Sequence, residues 1–205
     1  MEAFTILKSR GVAVLLDDID TDMLFPAQFC KTLDTTGLGQ YLFARERYPE
    51  FNPDAANFPL SRPEHAGAEI LVSGRNFGCG SSREHAVWAL RDYGFRCVIA
   101  ESFSDILYGN CFKNGLLPVV LPRAAVDALA QLTRTNPAET ITVDLFEQTV
   151  TAGGLGPFHF KIEPHRRHML LEGLDEVGLT MARADAIDAF EKSHFRSQPW
   201  LLRTG

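Results

Sequence analysis

The densest concentration of chemically useful side chains in this 205-residue chain is the run Phe77-Gly78-Cys79-Gly80-Ser81-Ser82-Arg83-Glu84-His85. Two hydroxyls and a guanidinium follow closely spaced glycines, and a stretch of helical period comes after them. A turn of this kind at a helix start turns unpaired N–H groups and the positive end of the helix dipole toward a small anion. Arg83 can grip a carboxylate through two parallel N–H bonds, a geometry that lysine lacks. Ser81 or Ser82 can then face the carbon beside that carboxylate. The same spacing has a purely structural reading, because Ser81-x-x-Glu84 matches a capping box in which both side chains satisfy the first helical turn. Spacing alone favours the cap, but a cap does not call for the glycines, a second serine and an arginine together. Other templates fail: no Gly-Lys-Ser/Thr follows Gly74 at the offset of a Walker loop, and Arg83 stands where a dinucleotide fingerprint starting at Gly78 needs its third glycine. No glycine follows Ser82 to complete a nucleophile elbow around Ser81.

The elements that must carry this loop read as an α/β core. Gly11 to Leu16 is a short apolar run that predicts a buried strand, ending in the acidic turn Asp17-Asp18-Ile19-Asp20-Thr21-Asp22. Residues 29–63 show no sustained period and predict an irregular excursion over the surface. Ala68 to Ser73 predicts a second strand feeding the glycine loop, with a helix from Ser82 to Tyr93. Cys97 to Ala100 and Leu117 to Leu121 predict further strands on either side of a helix around Ser104 to Asn110, an alternation typical of an α/β layer. A helix over Ala124 to Leu132 precedes three segments of period two, Thr140 to Leu145, Gln148 to Thr151 and Phe158 to Ile162, which read as an antiparallel meander. Pro164 to Phe195 predicts two or three helices separated by Gly173 and Gly178, and residues 196–205 predict a loose tail. The whole of 1–205 reads as one domain.

Bulk properties narrow the function. A net charge of -6 argues against a phosphate-tracking surface, so no nucleic-acid partner is expected. No apolar run reaches the length of a membrane span, and the start lacks a basic region followed by a long apolar stretch, so the expected location is cytoplasmic, with no membrane partner. Cys30, Cys79, Cys97 and Cys111 are widely spaced, without Cys-x-x-Cys, and read as reduced thiols rather than a disulfide framework or a complete metal site. Cys79 either fills a tight turn or is made reactive by the helix start beside it. His85 reads as packed or hydrogen-bonded. His165 and His168 share a helical face, but Arg166 and Arg167 would repel a cation there and no third ligand is evident, which leaves a surface or interface role.

At these residues the chain closely resembles the small subunits of 3-isopropylmalate dehydratase, whose domain corresponds to the mobile C-terminal domain of aconitase. The likeness is carried by Asp18-Ile19-Asp20-Thr21-Asp22, Asn76 through Ala86, Trp88-Ala89-Leu90 and Asp92-Tyr93-Gly94-Phe95. It continues through Ser102-Phe103-Ser104-Asp105-Ile106, Tyr108-Gly109-Asn110, Leu116-Leu117-Pro118, Arg166-Arg167-His168 and Leu171-Glu172-Gly173-Leu174-Asp175. The resemblance implies a swivelling β/β/α domain with C-terminal helices. It implies a hydro-lyase that interconverts 2- and 3-isopropylmalate in leucine biosynthesis, active only with a large subunit that bears a [4Fe-4S] cluster. This chain is then expected to bind no cofactor or metal itself. By the same resemblance Ser81 is the general base, Ser82 and Arg83 bind a carboxylate of the small hydroxy-dicarboxylate substrate, Asp22 matches a catalytic-site aspartate of the superfamily, and Thr21 beside it contacts substrate.

One departure bears on the substrate. Where the family carries an arginine before Thr-Gly, this chain reads Asp34-Thr35-Thr36-Gly37, with Lys31 as the nearest replacement charge. Two alternatives therefore stand beside the main reading: a paralogous small subunit for another branched malate, such as methylmalate or dimethylmalate, or a non-catalytic dicarboxylate-binding module.

Overall fold

The computed structural model describes residues 1–30, 36–81, 83–181 and 183–201. Its regular elements, in chain order, are β1 (Ile6–Val14), the single turns α1 (Thr21–Leu24) and α2 (Ala44–Arg47), β2 (Ile70–Ser73), α3 (His85–Tyr93) and β3 (Cys97–Ala100). They continue with α4 (Asp105–Lys113), β4 (Leu117–Val120), α5 (Arg123–Thr135), β5 (Thr140–Asp144), β6 (Thr149–Ala152) and β7 (Leu155–His159). The chain finishes with α6 (Pro164–Glu172), α7 (Glu176–Met181) and α8 (Ala184–Ser197).

All seven strands form one sheet in the order β4-β3-β2-β1-β5-β6-β7. The half from β4 to β1 is parallel and the half from β1 to β7 is antiparallel. β1 belongs to both. Its residues Ile6 to Arg10 pair with β5, and Gly11 to Val14 pair with β2. Burial changes at the same point, alternating through Arg10 and then continuous from Gly11 to Val14. This is what the two halves require, since a parallel strand is covered on both faces and an outer antiparallel strand on one. Only the continuous half has the apolar run that marks a strand in the sequence, so the expected start at Gly11 moves to Ile6. Gly11 fits closely, because a Cβ there would lie 2.7 Å from the Ile141 side chain.

Side chains from the two faces of the parallel half feed two separate cores. One gathers Ile70, Val72, Cys97, Ile99, Leu117 and Val119 under α5. The other packs Val12, Val14, Leu71, Val98 and Ala100 against α3 and the irregular segment, where Phe25, Leu42 and Phe43 are fully buried. That segment holds only isolated helical turns between Ala27 and His65, as the lack of a period predicts.

Several boundaries differ from the sequence expectation. α3 starts at His85, three residues beyond Ser82. β7 starts at Leu155 instead of Phe158 and runs through Gly156 and Pro157, which lie on the sheet edge, where a missing N–H breaks no ladder. Gly173 terminates α6 at φ 67°, as expected, whereas Gly178 lies inside α7. α8 continues to Ser197, followed by a 3-10 turn over Pro199–Leu201, so the segment expected to be loose from 196 is helical through most of its described part. The Arg166-Arg167 pair has structural work: Arg167 donates to the carbonyls of Leu145 and Phe146, at 3.1 and 2.7 Å, and Arg166 lies over Tyr108 and Phe112. His165 and His168 are exposed on α6. No helix among the described residues is long and apolar enough to cross a membrane.

Candidate functional site

Three loops leave the carboxyl ends of β1, β2 and β3 and are stitched together, the end of a parallel sheet at which α/β proteins build their sites. The first two loops prolong the strand register. Gly11 faces Ile70 in the ladder, and Asp20 still faces Cys79 in an isolated bridge beyond it, the same offset along the chain. Asp18 N–H donates to the Arg75 carbonyl at 2.8 Å and Gly78 N–H to the Ile19 carbonyl at 2.7 Å. Asn76 Nδ2 donates to Asp18 Oδ1 at 2.7 Å, and Thr21 N–H to the Cys79 carbonyl at 2.9 Å. The third loop closes from the other side, where Ser104 Oγ donates to the Gly78 carbonyl at 2.6 Å and Phe77 N–H donates to the Ser102 carbonyl at 2.9 Å. Gly78 and Gly80 sit at φ 75° and 95°, the left-handed region where a Cβ is disfavoured. At Gly78 a Cβ would also meet Leu107 at 2.5 Å.

Each residue of the acidic turn has a separate task. Ile19 is buried, and Asp20 caps α1 by accepting from Met23 N–H at 2.6 Å. Thr21 is 2% exposed, and its Oγ1 lies 2.7 Å from Ser81 Oγ. The hydroxyl of this residue, expected to contact substrate, is turned onto the expected base Ser81. Asp22 Oδ1 accepts from Ala27 N–H at 2.9 Å and Arg83 Nη1 at 3.0 Å, while Oδ2 accepts from Arg45 Nη1 at 2.6 Å. The Ala27 N–H bond, then Arg83 and Arg45, hold the Asp22 carboxyl below the ordinary carboxylate range.

Ser81 is half-buried and lies within hydrogen-bond reach of a guanidinium and a second hydroxyl. Arg83 Nε donates to its Oγ at 2.9 Å, and the Thr21 hydroxyl is positioned on its other side. The fold thus joins Thr21, Asp22, Ser81 and Arg83 in one hydrogen-bonded cluster. Ser82 lies outside the described residues, as do Lys31 and Thr35. The Asp22 ion pair outweighs the cost of partial burial and pushes the Arg83 guanidinium further up, so it remains charged.

The capping-box reading does not hold. α3 has Glu84 in the cap position with no side-chain cap, and Glu84 Oε1 instead accepts from Asn114 Nδ2 at 2.8 Å. Ser81 lies four residues before the first helical residue, so its polarisation comes from Arg83 and Thr21 more than from the helix end. His85 is packed between Phe25, at 5.9 Å between ring centres, and Trp88, at 4.8 Å. Cys79 donates to the Asp18 carbonyl at 3.4 Å, and burial together with the Asp20 and Asp18 charges pushes its thiol up, the reverse of activation. Arg45 carried no sequence signal, since it lies in a stretch without periodicity or motif.

Cys97 on β3 and Cys111 on α4 are both buried, and burial raises both thiols. Among the described residues no cluster of three or more His, Cys, Asp or Glu could hold a metal ion.

Comparison with known proteins adds an independent line. The family model of the aconitase C-terminal domain matches residues 1–124, and the model of the C-terminal domain found in small subunits of 3-isopropylmalate dehydratase matches residues 176–204. The 3-isopropylmalate dehydratase small subunit of Paramagnetospirillum magneticum is 48% identical over 201 residues, covering 98% of this chain and 100% of that protein. That of Paracoccus denitrificans is 48% identical over 204 residues, with the same coverage. Among solved structures, 3-isopropylmalate dehydratase from Methanocaldococcus jannaschii matches with a TM-score of 0.65 at 26% identity, over 91% of this chain and 99% of that one.

Proposed function

This chain belongs to the family of 3-isopropylmalate dehydratase small subunits, and from that premise we propose how its own residues take part in the reaction. The family is a hydro-lyase of leucine biosynthesis, and a small subunit implies a large one. The rival readings, a methylmalate or dimethylmalate enzyme and a non-catalytic module, are not favoured by relatives that match along their full length and share one name.

Ser81 is the base. Moving a hydroxyl between neighbouring carbons requires removal of a C–H proton beside a carboxylate, departure of the hydroxyl, and re-addition of water. A serine hydroxyl is a weak base unless its alkoxide is stabilised by donors fixed in advance. The observation that carries this reading is the Ser81 oxygen held between Arg83 Nε at 2.9 Å and the Thr21 hydroxyl at 2.7 Å. As alkoxide, Ser81 Oγ takes the C–H proton and the electron pair of that bond becomes the new C=C bond. As hydroxyl, it returns a proton in the rehydrating direction. Thr21 then acts by donating to Ser81 and not by touching substrate. Asp22, committed to two arginines and a backbone N–H, acts by orienting Arg83 and not by transferring a proton. Arg83, with Ser82 beside it, binds the substrate carboxylate next to the carbon that loses the proton.

The [4Fe-4S] cluster is assigned to the large subunit on the likeness of this chain to aconitase-family small subunits. When bound there it supplies a Lewis acid for the departing hydroxyl. Leu16, in the loop after β1, and Ile106, in the first turn of α4, are 48% and 53% exposed, apolar side chains suited to being covered when the larger protein docks over the site. A biosynthetic enzyme of this kind is placed in the cytoplasm.

The test is Ser81→Ala in the complex reconstituted with the large subunit. Turnover should fall about 10²- to 10⁴-fold, the usual contribution of a positioned acid–base group, with assembly intact. Unchanged turnover would remove Ser81 from the chemistry.

A further inference from the structure

We propose that Arg45 is the second carboxylate clamp of this site and makes it selective for a doubly charged ligand. The inference rests on the reading of Ser81 and Arg83 given above, and its evidence is the placement of Arg45. The backbone that presents it is fixed by the core: Leu42, Phe43 and Ala44 are fully buried, and Phe43 N–H donates to the Leu24 carbonyl at 2.9 Å, tying α2 to α1. From there Arg45 Nη1 reaches Asp22 Oδ2 at 2.6 Å, on the carboxylate whose other oxygen holds Arg83.

An exposed arginine–aspartate pair is usually worth little. Here, however, Asp22 already has a charge partner in Arg83 and a backbone donor in Ala27. Adding Arg45 sets two guanidinium groups against one carboxylate, which leaves the cluster beside Ser81 with a surplus positive charge. Among the described residues the remaining N–H groups of Arg45 have no partner, and its side chain is 49% exposed. A fork held by one nitrogen with the others open is suited to a planar anion.

The isopropylmalates each carry two carboxylates. If Arg83 takes the one beside the reacting C–H, the second carboxylate still needs a cation, and Arg45 is the one joined to Arg83 through Asp22.

The experiment compares the wild-type complex with Arg45→Gln and Arg45→Lys, using two probes. One is 2-isopropylmalate as substrate. The other is 3-hydroxy-4-methylpentanoate as competitive inhibitor, the same skeleton without the carboxylate assigned to Arg45. The Gln variant should raise KM for 2-isopropylmalate about 10- to 100-fold, the range for a lost charged hydrogen bond, with a much smaller change in kcat. The inhibition constant of the monocarboxylate should stay within about twofold, and Lys should recover part of the loss by charge alone. An unchanged KM, or an equal loss for both probes, would overturn the proposal, the latter showing that Arg45 acts only by holding Asp22. Ser81→Ala run alongside separates the two readings. Full activity there would defeat the site assignment itself, whereas inactive Ser81→Ala with wild-type behaviour of the Arg45 variants would defeat only the clamp.

Discussion

Replacing Thr21 by Val removes one hydroxyl at nearly constant shape, which makes it the sharpest probe of the cluster. Thr21 Oγ1 is 2.7 Å from Ser81 Oγ and the residue is 2% exposed, so the variant cannot recruit bulk water in its place without repacking. In the resting state the bond is a neutral one, worth about 0.5–1.5 kcal/mol net, and against an alkoxide it becomes charge-assisted, about 1.5–3 kcal/mol. Only the difference slows the chemistry, since an interaction equal in ground and transition states leaves kcat unaltered. A difference of about 1–2 kcal/mol corresponds to a roughly 5- to 30-fold fall in kcat. Arg83 Nε still donates to Ser81, so the loss should stay well short of that in Ser81→Ala. The assay is steady-state turnover of 2-isopropylmalate by the reconstituted complex, with thermal unfolding of the small subunit alone as a control for packing. KM should change little, and Thr21→Ser, which restores a hydroxyl, should recover most of the rate. A Val variant with wild-type kcat, or a Ser variant as slow as Val, would refute the argument that Thr21 stabilises the Ser81 alkoxide.

Other outcomes follow from the same geometry. Arg83→Lys cannot present an Nε to Ser81 and an Nη1 to Asp22 together, so both kcat and KM should worsen in steady-state assays, and an unaltered pair of constants would tell against the guanidinium assignment. Asp22 has its carboxyl lowered by folding, so its contribution to stability is present above the ordinary carboxylate pKa, about 4, and is lost as pH falls through the lower folded value. Chemical denaturation should therefore find Asp22→Asn less stable than wild type near neutrality, with the gap narrowing only below about pH 4, and a gap that varies between pH 6 and 8 would assign it to another group. Cys79, with its thiol raised, should react slowly with iodoacetamide at pH 7 and faster only in strongly alkaline buffer, as read by mass spectrometry of the labelled peptide.

Much of the site was legible because its signals are local. The glycines of the Phe77-to-Gly80 turn, the acidic run after the first strand and the apolar runs of β2, β3 and β4 each reflect a backbone conformation or burial period acting over a few residues. Those runs gave the α/β core, the loop that carries Ser81 and Arg83, and the family. What they could not determine is which donors surround Ser81. Thr21 and Ser81 are 60 residues apart, and their contact exists because β1 and β2 pair in parallel and the two loops keep that register past the strand ends. The capping pattern of Ser81 and Glu84 was a local signal with two physical outcomes, and Asn114, on the loop after α4, decided between them by taking the Glu84 carboxylate. The first half of β1 stayed hidden because a one-face-buried strand holding Lys8, Ser9 and Arg10 has no apolar run to announce it. Arg45 was equally silent: an exposed arginine acquires meaning only when packing of buried Leu42, Phe43 and Ala44 sets it against Asp22, and non-local contacts of that kind leave no trace in periodicity.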